Sequence, residues 1–348
     1  MYHTIKSIKN YKLKIKNCGL FLTFIFHFSF FIFHFAEGKG PGTTSANFLK
    51  IGIGARPVAM GEAFVAVADD ANTIVHNPAG LAHLSQKEFS AMHLEYFQNI
   101  KYEALSYIQP LKFGTAGISL GYLYMNDIKR TYFYEEEYYG EAGEFGASDR
   151  TAMIGFGKKL GKSGNRQLIA DYGISYGFAI RGIRETLDDV SATAFSVDLG
   201  LLYNPDMSLR EAKRSLRKQG SNLSFGLAVQ NLGTQMKFIE VKEKLPIVLR
   251  TGVSTKILNE KLLVAFELYK PSDNYPELKL GAELWLFDLF APRVGYRYRT
   301  WGRDNNLGGL SGLTAGLGIK IYNYTVDYAF VPYGDLGYTH RFSLGGKF

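Results

Sequence analysis

The sequence predicts an all-β fold, a transmembrane antiparallel β-barrel of about 14 strands that follows an N-terminal hatch or plug segment. Three observations support this prediction. In the segment 341–348, alternate residues separate into an apolar and a polar face, Phe342, Leu344 and Phe348 against Arg341, Ser343 and Lys347. The chain is also rich in glycine and aromatic residues, with 38 Gly, 23 Tyr and 26 Phe in 348 residues. Only one apolar run, at the N-terminus, approaches the roughly 20 residues that a membrane helix needs.

Segments with the length of tilted membrane strands, roughly 9–11 residues, follow one another along the chain. Their centres lie near Leu94, Ser106, Leu120, Ile154, Tyr176, Val197, Leu227, Leu249, Val264, Leu280, Tyr296, Leu317, Val326 and Leu344. An even number of strands returns the C-terminus to the side on which the barrel begins. With that side in the periplasm, short inner turns are expected at 112–114, 259–260, 287–289 and 322–323, and the longest outer loop at 126–149.

One connection departs from this pattern of short inner turns. Residues 204–221 would lie on the periplasmic side, yet the segment is long, helix-prone and basic, with Arg210, Lys213, Arg214, Arg217 and Lys218. It is either a solvated helical connector or a docking surface for a periplasmic partner.

The N-terminal region has the features of a secretory signal peptide. Five lysines precede the apolar run 20–35, and Ala36, followed by Glu37 and Gly38, offers a small-residue cleavage point. We therefore predict that residues 1–36 are a signal peptide, with an uncleaved anchor as the alternative. Removal of this segment, which contains Cys18, leaves no cysteine. It also leaves 35 basic and 32 acidic residues, and a net charge of +3 is too small and dispersed to predict nucleic-acid binding.

Residues 37–88 are predicted to form the plug and residues 89–348 the barrel. The plug segment is rich in Gly and Ala and lacks the two-residue alternation of strands. Asn77 before Pro78 suits the start of a helix, because the asparagine side chain can cap it and proline is favoured at the first helical position.

The two halves of the barrel have different predicted inner faces. The third, fifth and seventh strands present small residues, namely Gly117, Ser119 and Gly121, Gly173, Ser175 and Gly177, and Ser224, Gly226 and Ala228. The space that these leave is expected to hold the plug or a ligand. The C-terminal half presents charges, namely Arg250, Glu267, Glu277, Lys279, Glu283, Arg293, Arg297, Arg299, Asp327 and Arg341. Cross-strand ion pairs are expected among them, either as a brace or as a polar translocation path.

The motifs of common catalytic and cofactor sites are incomplete. Gly161, Lys162 and Ser163 resemble the end of a phosphate-binding loop, but Phe156 stands where its first glycine is needed. His76 and His83 lie seven residues apart without an acidic residue between them, which is a weak metal-site pattern. The sequence therefore predicts no enzyme activity, no cofactor and no metal.

Three segments carry a resemblance to a known family. They are the stretch 42–82, GTTSANFLKIGIGARPVAMGEAFVAVADDANTIVHNPAGLA, the stretch SFGLAVQNLG at 224–233, and DYAFVPYGDLGYTHRFSLGGKF at 327–348. Together they resemble the PorV/PorQ-like outer-membrane proteins, which are related to the FadL long-chain fatty-acid transporters. The resemblance implies a fourteen-stranded barrel with an N-terminal hatch, and it matches Asn77, Pro78 and Ala79 to the hatch motif.

The resemblance implies two alternative functions in the outer membrane of a diderm bacterium. By its likeness to FadL, the protein would bind or pass hydrophobic small molecules, with the hatch as gate. By its likeness to PorV and PorQ, it would be an accessory component of a secretion system that binds exported proteins. A structural barrel with neither role is a third alternative. The expected partners are thus outer-membrane lipids together with a hydrophobic ligand or a secreted protein. Candidate site residues are the hatch motif and the lumen charges Arg250, Glu267, Glu283, Arg293, Arg297, Asp327 and Arg341.

Overall fold

The computed structural model describes residue 40 and residues 42–134, 137–160, 173–204, 223–299 and 312–348, with backbone alone at 133–134 and 137–139. The predicted signal peptide 1–36 lies outside these residues, as does nearly all of the basic connector 204–221. Residues 40–348 form one compact unit. The boundaries predicted at residues 36 and 88 remain predictions.

The described residues contain sixteen strands. They are β1 (Glu88–Glu95), β2 (Lys101–Leu111), β3 (Gly114–Tyr134), β4 (Glu137–Lys159), β5 (Ile174–Leu187), β6 (Val190–Tyr203), β7 (Ser224–Gly233), β8 (Met236–Lys237), β9 (Lys242–Glu243), β10 (Val248–Ile257), β11 (Leu262–Pro271), β12 (Glu277–Leu284), β13 (Phe290–Arg299), β14 (Leu313–Ile321), β15 (Tyr324–Pro332) and β16 (Tyr338–Lys347). Strands β8 and β9 form a separate two-stranded sheet.

The other fourteen strands form a closed antiparallel barrel, in which β1 pairs with β16 from Glu88↔Lys347 to Glu95↔His340. Each predicted strand centre lies in one of them, in the predicted order, so the predicted fourteen-stranded antiparallel barrel is confirmed. The short turns also lie where they were predicted, between β2 and β3, β10 and β11, β12 and β13, and β14 and β15. We call the end with these turns and Phe348 the C-terminal rim, and the opposite end the far rim.

Side chains alternate between the two faces of the wall. In β5, Ala179 and Ile183 face inward and are buried, whereas Phe178 and Ile180 face outward and are 42% and 54% exposed. Exposed apolar side chains continue around the outer face, including Ile118, Leu120, Ile154, Phe195, Leu280, Leu317, Phe342 and Leu344. Exposed aromatic residues lie at the C-terminal rim, namely Phe113, Phe287, Tyr322 and Tyr324, and at the far rim, namely Tyr275, Tyr298 and Tyr338. The outer wall is therefore an apolar belt with aromatic edges.

The predicted outer loop 126–149 is wrong, because β3 and β4 continue through most of it as a long hairpin. Their pairing resumes after a bulge with Ile128↔Phe145 and Lys129↔Glu144. The side chain of Lys129 also donates to Glu141, with Nζ 2.7 Å from Oε1. Its described side chains are exposed or half-buried on both faces, so its sequence needs no apolar alternation, and the pattern used to predict strands is absent.

Residues 42–87 occupy the barrel interior, and we call them the plug. At the far rim, Ser45 N–H donates to the carbonyl of Lys244 at 3.1 Å. At the C-terminal rim, Lys87 and Phe348 exchange backbone hydrogen bonds of 3.1 and 2.9 Å. Between the rims lie helices α1 (Ala55–Ala59) and α2 (Thr73–His76) and the 3₁₀ segments Asn47–Lys50 and Pro78–His83. Two further 3₁₀ segments, Phe97–Asn99 and Gly334–Leu336, lie in connections at the far rim.

Candidate functional site

Where the plug meets β5 and β6, its backbone touches the wall through glycine. A Cβ atom built on Gly177 would lie 2.3 Å from the carbonyl carbon of Pro78, and one on Gly200 would lie 2.1 Å from Asn77 Oδ1. Any other residue would overlap the plug at both positions. The Pro78 backbone cannot rotate away, and the Asn77 side chain is held by its own hydrogen bonds. The plug thus fills the space that was predicted at the small inner faces of the wall. Gly173, however, precedes β5 rather than lying in it.

Apolar packing continues this contact toward β2 and β4. Ile74 and Leu81 of the plug lie in one buried cluster with Ile108, Met153 and Ala179 of the wall. Gly155 belongs to the same surface, because a Cβ atom on it would lie 3.1 Å from Ile74 Cγ1. One half of the lumen therefore meets the plug through glycine and apolar side chains.

The hatch motif lies at the centre of this glycine-lined contact. Asn77 is fully buried, and its Nδ2 donates to the carbonyls of Val65 at 2.8 Å and Leu201 at 3.1 Å. Its Oδ1 accepts from Ala79 N–H at 3.1 Å, with Pro78 at the first helical position, so the predicted helix cap is present. Asn77 thereby connects two parts of the plug to β6.

The other half of the wall holds the plug by charge. Arg56 of α1 binds both carboxylate oxygens of Glu283, through Nε at 2.7 Å and Nη2 at 2.9 Å. The same guanidinium donates to Asp69 at 2.6 Å and Asp70 at 2.8 Å within the plug. Arg293 also donates to Glu283, at 2.7 Å. Arg56 therefore joins two segments of the plug to the charged wall.

Glu62 provides a second charged contact. It accepts from Lys279 Nζ at 2.8 Å and from Arg297 Nη1 at 3.1 Å, and both cations belong to the wall. Burial alone would favour the neutral acid, but these two cations more than offset it and hold the pKa of Glu62 well below its usual range. Glu62 is thus ionised within the barrel.

Glu267 of β11 provides a third contact, and here the wall supplies the anion. One carboxylate oxygen accepts from the backbone N–H groups of Phe64 and Val65 at 2.9 and 2.8 Å. The other accepts from Arg250 Nε at 2.6 Å. A fully buried carboxylate is in this way both paired and hydrogen-bonded, as burial of a charge requires.

His76 completes this network in a neutral form. Arg250 Nη1 lies 3.1 Å from His76 Nδ1, and His76 Nε2 lies 3.0 Å from the Ile53 carbonyl. Because a guanidinium can only donate, Nδ1 is the acceptor and Nε2 carries the proton. Burial, together with the neighbouring Arg250, lowers the pKa of His76 to about 3. The plug therefore presents an uncharged imidazole to the charged wall.

The structure brings six of the seven predicted lumen charges into ion pairs. Arg250 pairs with Glu267, Arg293 pairs with Glu283 and Asp327, and Arg297 pairs with Glu62. Arg341 is buried but lies apart from these pairs, and its Nη1 donates to Thr339 Oγ1 at 3.3 Å. The functional roles predicted for the hatch motif and for these charges remain predictions.

Sequence reasoning missed the charged residues of the plug itself. Arg56, Glu62, Asp69 and Asp70 lie in irregular structure without strand periodicity, so no pattern assigned them to a face. A charge count would not have found them, because the plug as a whole contains three basic and three acidic residues and so has no net charge.

A small polar cavity remains between plug and wall. Its volume is about 40 Å³, and its lining includes His76, Arg181, Gln230, Arg250 and Tyr269. Sites for small organic ligands measure about 300–1,000 Å³, so this cavity has room for a few water molecules only. With the plug in place, this part of the lumen cannot hold a hydrophobic ligand.

A family model matches residues 33–274, which is more than half of the chain, and its description is Uncharacterised protein family (UPF0164). The chain belongs to this family. No curated protein sequence matches it significantly. Within the described part of this UPF0164 member, no helix is both long and apolar enough to cross a membrane. The narrower resemblance to PorV/PorQ-like proteins remains a prediction.

Several solved barrels show distant similarity to this UPF0164 chain. The TodX deltaS2S3 mutant monoaromatic hydrocarbon channel is 12% identical, with a TM-score of 0.49 over 85% of this chain and 97% of that one. The toluene transporter TodX of Pseudomonas putida is 11% identical, with a TM-score of 0.48 over 85% and 96%. Omp33, an outer membrane protein of Acinetobacter baumannii, is 10% identical, with a TM-score of 0.39 over 76% and 98%. At such similarity, the description of the fold rests on the strand pairing of this chain.

Proposed function

We propose that the protein spans the outer membrane of a diderm bacterium and passes hydrophobic small molecules along one side of its plug. Membrane placement is supported by the apolar outer belt, since side chains such as Ile154 and Phe195 are 68% and 61% exposed. An apolar belt with aromatic edges around a polar interior is the arrangement that barrels adopt in lipid. Export through the signal peptide 1–36 is part of this proposal.

The observation that carries the proposal is the asymmetry of the plug's attachment. On one half, ion pairs such as Arg56–Glu283 and Glu62–Lys279 hold it to the wall. Separation there would leave buried charges unpaired, at a cost of about 3–5 kcal/mol for each broken pair. Glycine and apolar contacts occur on both halves, as where Gly281 of the wall meets the Met60 carbonyl, whereas the ion pairs named above lie on the charged half. On the other half, Ile74 and Leu81 rest on apolar and glycine positions, and separation would expose an apolar surface that a hydrophobic molecule could cover. We therefore propose that the plug stays attached to the charged half and parts from the apolar half.

A pair of reversible crosslinks tests this path. Ile74→Cys with Gly155→Cys would join the plug to the apolar half, because a Cβ atom at Gly155 lies 3.1 Å from Ile74 Cγ1. Val65→Cys with Gly252→Cys is the matched control at β10, where the corresponding distance to Val65 Cγ1 is 2.8 Å. Cys18 is the one native cysteine and lies in the predicted signal peptide.

The readout is uptake of a fluorescent long-chain fatty acid, and separately of toluene, into proteoliposomes. Oxidation of the Ile74/Gly155 pair should stop uptake and reduction should restore it, whereas oxidation of the Val65/Gly252 pair should leave uptake unchanged. Equal uptake with the Ile74/Gly155 disulfide formed would contradict the proposed path.

A second function, binding of exported proteins at the far rim, is favoured by the long β3–β4 hairpin and by the resemblance to PorV and PorQ. The hairpin is supported by an ion pair between Arg130 and Asp188 of the neighbouring hairpin. Close to this rim, Ile239 and Val241, between β8 and β9, are each 72% exposed. Deletion of residues 135–143 should abolish capture of secreted proteins from the cell's own membranes while the barrel stays folded. Unchanged capture would leave this second function without its main support.

A further inference from the structure

Two arginines lie side by side on the outer face of the barrel. Arg150 of β4 and Arg184 of β5 are direct cross-strand partners, and both are exposed. Like charges in this position repel each other and destabilise a sheet. Their sequence neighbours Asp149 and Glu185 face the interior and so cannot reach the guanidinium groups.

Neither guanidinium forms an ion pair with a described residue. Arg150 lies over the ring of Tyr122, 5.1 Å from its centroid, and Arg184 Nη2 donates to Ser191 Oγ at 3.2 Å. These contacts hold the two side chains in place and leave most of their donors free for an anion, because each guanidinium carries five N–H groups.

An apolar groove lies directly beside this pair. One step toward the C-terminal rim, the row of outward residues is Leu120, Ala152, Gly182 and Phe195, on adjacent strands. Ala152 and Gly182 form a low floor, with Leu120, which is 49% exposed, on one side and Thr193 of β6 on the other. The groove has a volume of about 640 Å³. Its width of three strand spacings, about 14 Å, exceeds that of an acyl chain.

The arginines lie at the edge of the apolar belt. Along β4, the outward positions after Arg150 are Ala152, Ile154 and Phe156, and then Lys158 near the C-terminal rim. The segment from Arg150 to Lys158 covers about 27 Å along the strand, or about 20 Å along the membrane normal at a tilt of about 40°, so the two charges enclose most of the roughly 25 Å of a barrel's apolar band. Arg150 and Arg184 therefore lie at the depth of lipid headgroups.

We propose that this groove binds a negatively charged membrane lipid, with its phosphate between Arg150 and Arg184 and its acyl chain over Ala152 and Gly182. A phosphate neutralises the repulsion between the two guanidinium groups and accepts hydrogen bonds from both. The inference rests on the membrane placement proposed above but not on passage through the lumen.

The protein also carries a groove that can serve as its control. On the other side of Leu120 and Tyr122 lies a groove of about 590 Å³ lined by Ala91, Leu105 and Phe342. At the same level as the arginines it carries His93 and Glu103, whose Nδ1 and Oε1 atoms lie 2.7 Å apart. This groove has a similar size but contains an acid, so we expect no preference for an anionic headgroup there.

Native mass spectrometry of the full chain in a non-ionic detergent, titrated with phosphatidylglycerol, tests the proposal. The double variant Arg150→Gln/Arg184→Gln should bind phosphatidylglycerol about tenfold more weakly or worse, since it loses at least one charge-assisted hydrogen bond. The variant His93→Gln/Glu103→Gln should bind it as the wild type does. Heat-dependent migration on SDS gels checks that both variants are folded.

Several outcomes would overturn the proposal. One is equal binding of phosphatidylglycerol by the wild type and the arginine variant. Another is binding of zwitterionic phosphatidylcholine by the wild type as tightly as phosphatidylglycerol. Displacement of the lipid by millimolar inorganic phosphate would show that the pair binds free phosphate instead. Absence of the protein from the outer-membrane fraction would refute the proposed membrane placement. If the protein is in that fraction but binds no phosphatidylglycerol in the titration, only the lipid site is refuted.

Discussion

Gly177 shows how strongly a single backbone position controls the seat of the plug. A Cβ atom there would lie 2.3 Å from the backbone of Pro78, which cannot rotate away as a side chain could. The segment Pro78–His83 would have to shift, and with it Asn77, which hydrogen-bonds to the Val65 and Leu201 carbonyls. A methyl group is therefore enough to disturb the whole hatch motif.

We predict that Gly177→Ala increases leakage through the barrel and lowers its thermal stability by about 1–3 kcal/mol, the usual cost of overpacking. Gly182→Ala is the matched control, because Gly182 lies in the same strand and a Cβ atom on it would approach no atom closer than 3.7 Å. Conductance in planar bilayers and thermal melts measure the two effects. If both variants have the same conductance and thermal stability, the close contact at Gly177 does not fix the position of the plug.

At the scale of elements, α1 and β12 are joined by the bidentate pair Arg56–Glu283, at 2.7 and 2.9 Å. Removal of either partner leaves a buried charge, since the side chain of Glu283 is 2% exposed and that of Arg56 is 12% exposed. Asp69, Asp70 and Arg293 contact the same pair, so the energies of these residues are coupled.

We predict that Arg56→Ala or Glu283→Ala destabilises the protein by about 3–5 kcal/mol, and that the double variant costs less than the sum of the two. A double-mutant cycle in urea, with Arg299→Ala and Glu277→Ala as a second cycle, measures the coupling. The Arg299–Glu277 pair is the control because the side chain of Arg299 is 60% exposed, and its coupling should be below about 1 kcal/mol. Additive effects at Arg56 and Glu283 would contradict the proposed anchor.

The elements also show what the sequence could predict. Strands such as β5 could be predicted because their inward residues are buried in the barrel and their outward residues form the apolar outer belt. These two environments select different residue types at alternate positions. The β3–β4 extension was missed because its described side chains are exposed or half-buried on both faces, so neither face constrains residue type. The anion Glu62 was missed because the plug is irregular, so its inward direction follows from tertiary packing alone.

At the scale of the whole molecule, the plug makes stability depend on pH. Burial and Arg250 lower the pKa of His76 to about 3, and burial and Lys159 lower the pKa of His83 to about 4. In a released plug, both imidazoles would return toward the ordinary value of 6.5. Below pH 6.5, the released form therefore binds protons that the docked form does not.

We predict that the docked plug loses about 1.4 kcal/mol per histidine for each pH unit between about 6.5 and 4, and that its stability is constant above pH 7. Conductance or plug proteolysis as a function of pH measures this, and His76→Gln should reduce the slope by about half. The lowered pKa of Glu62 acts in the same direction at still lower pH, because its ion pairs are lost on protonation. If the stability of the docked plug does not change between pH 7 and pH 4, the two histidines are not buried in the neutral form.

The passage of the plug from one rim to the other has a consequence for biogenesis. Helix α1 packs against β13, β14, β15 and β16, the last four strands to be synthesised, and β16 closes the ring on β1, which directly follows the plug. Strand β16 therefore has two partners, the plug on its inner face and β1 at its edge. Closure of the ring and burial of α1 are thus two results of docking the same strand during assembly.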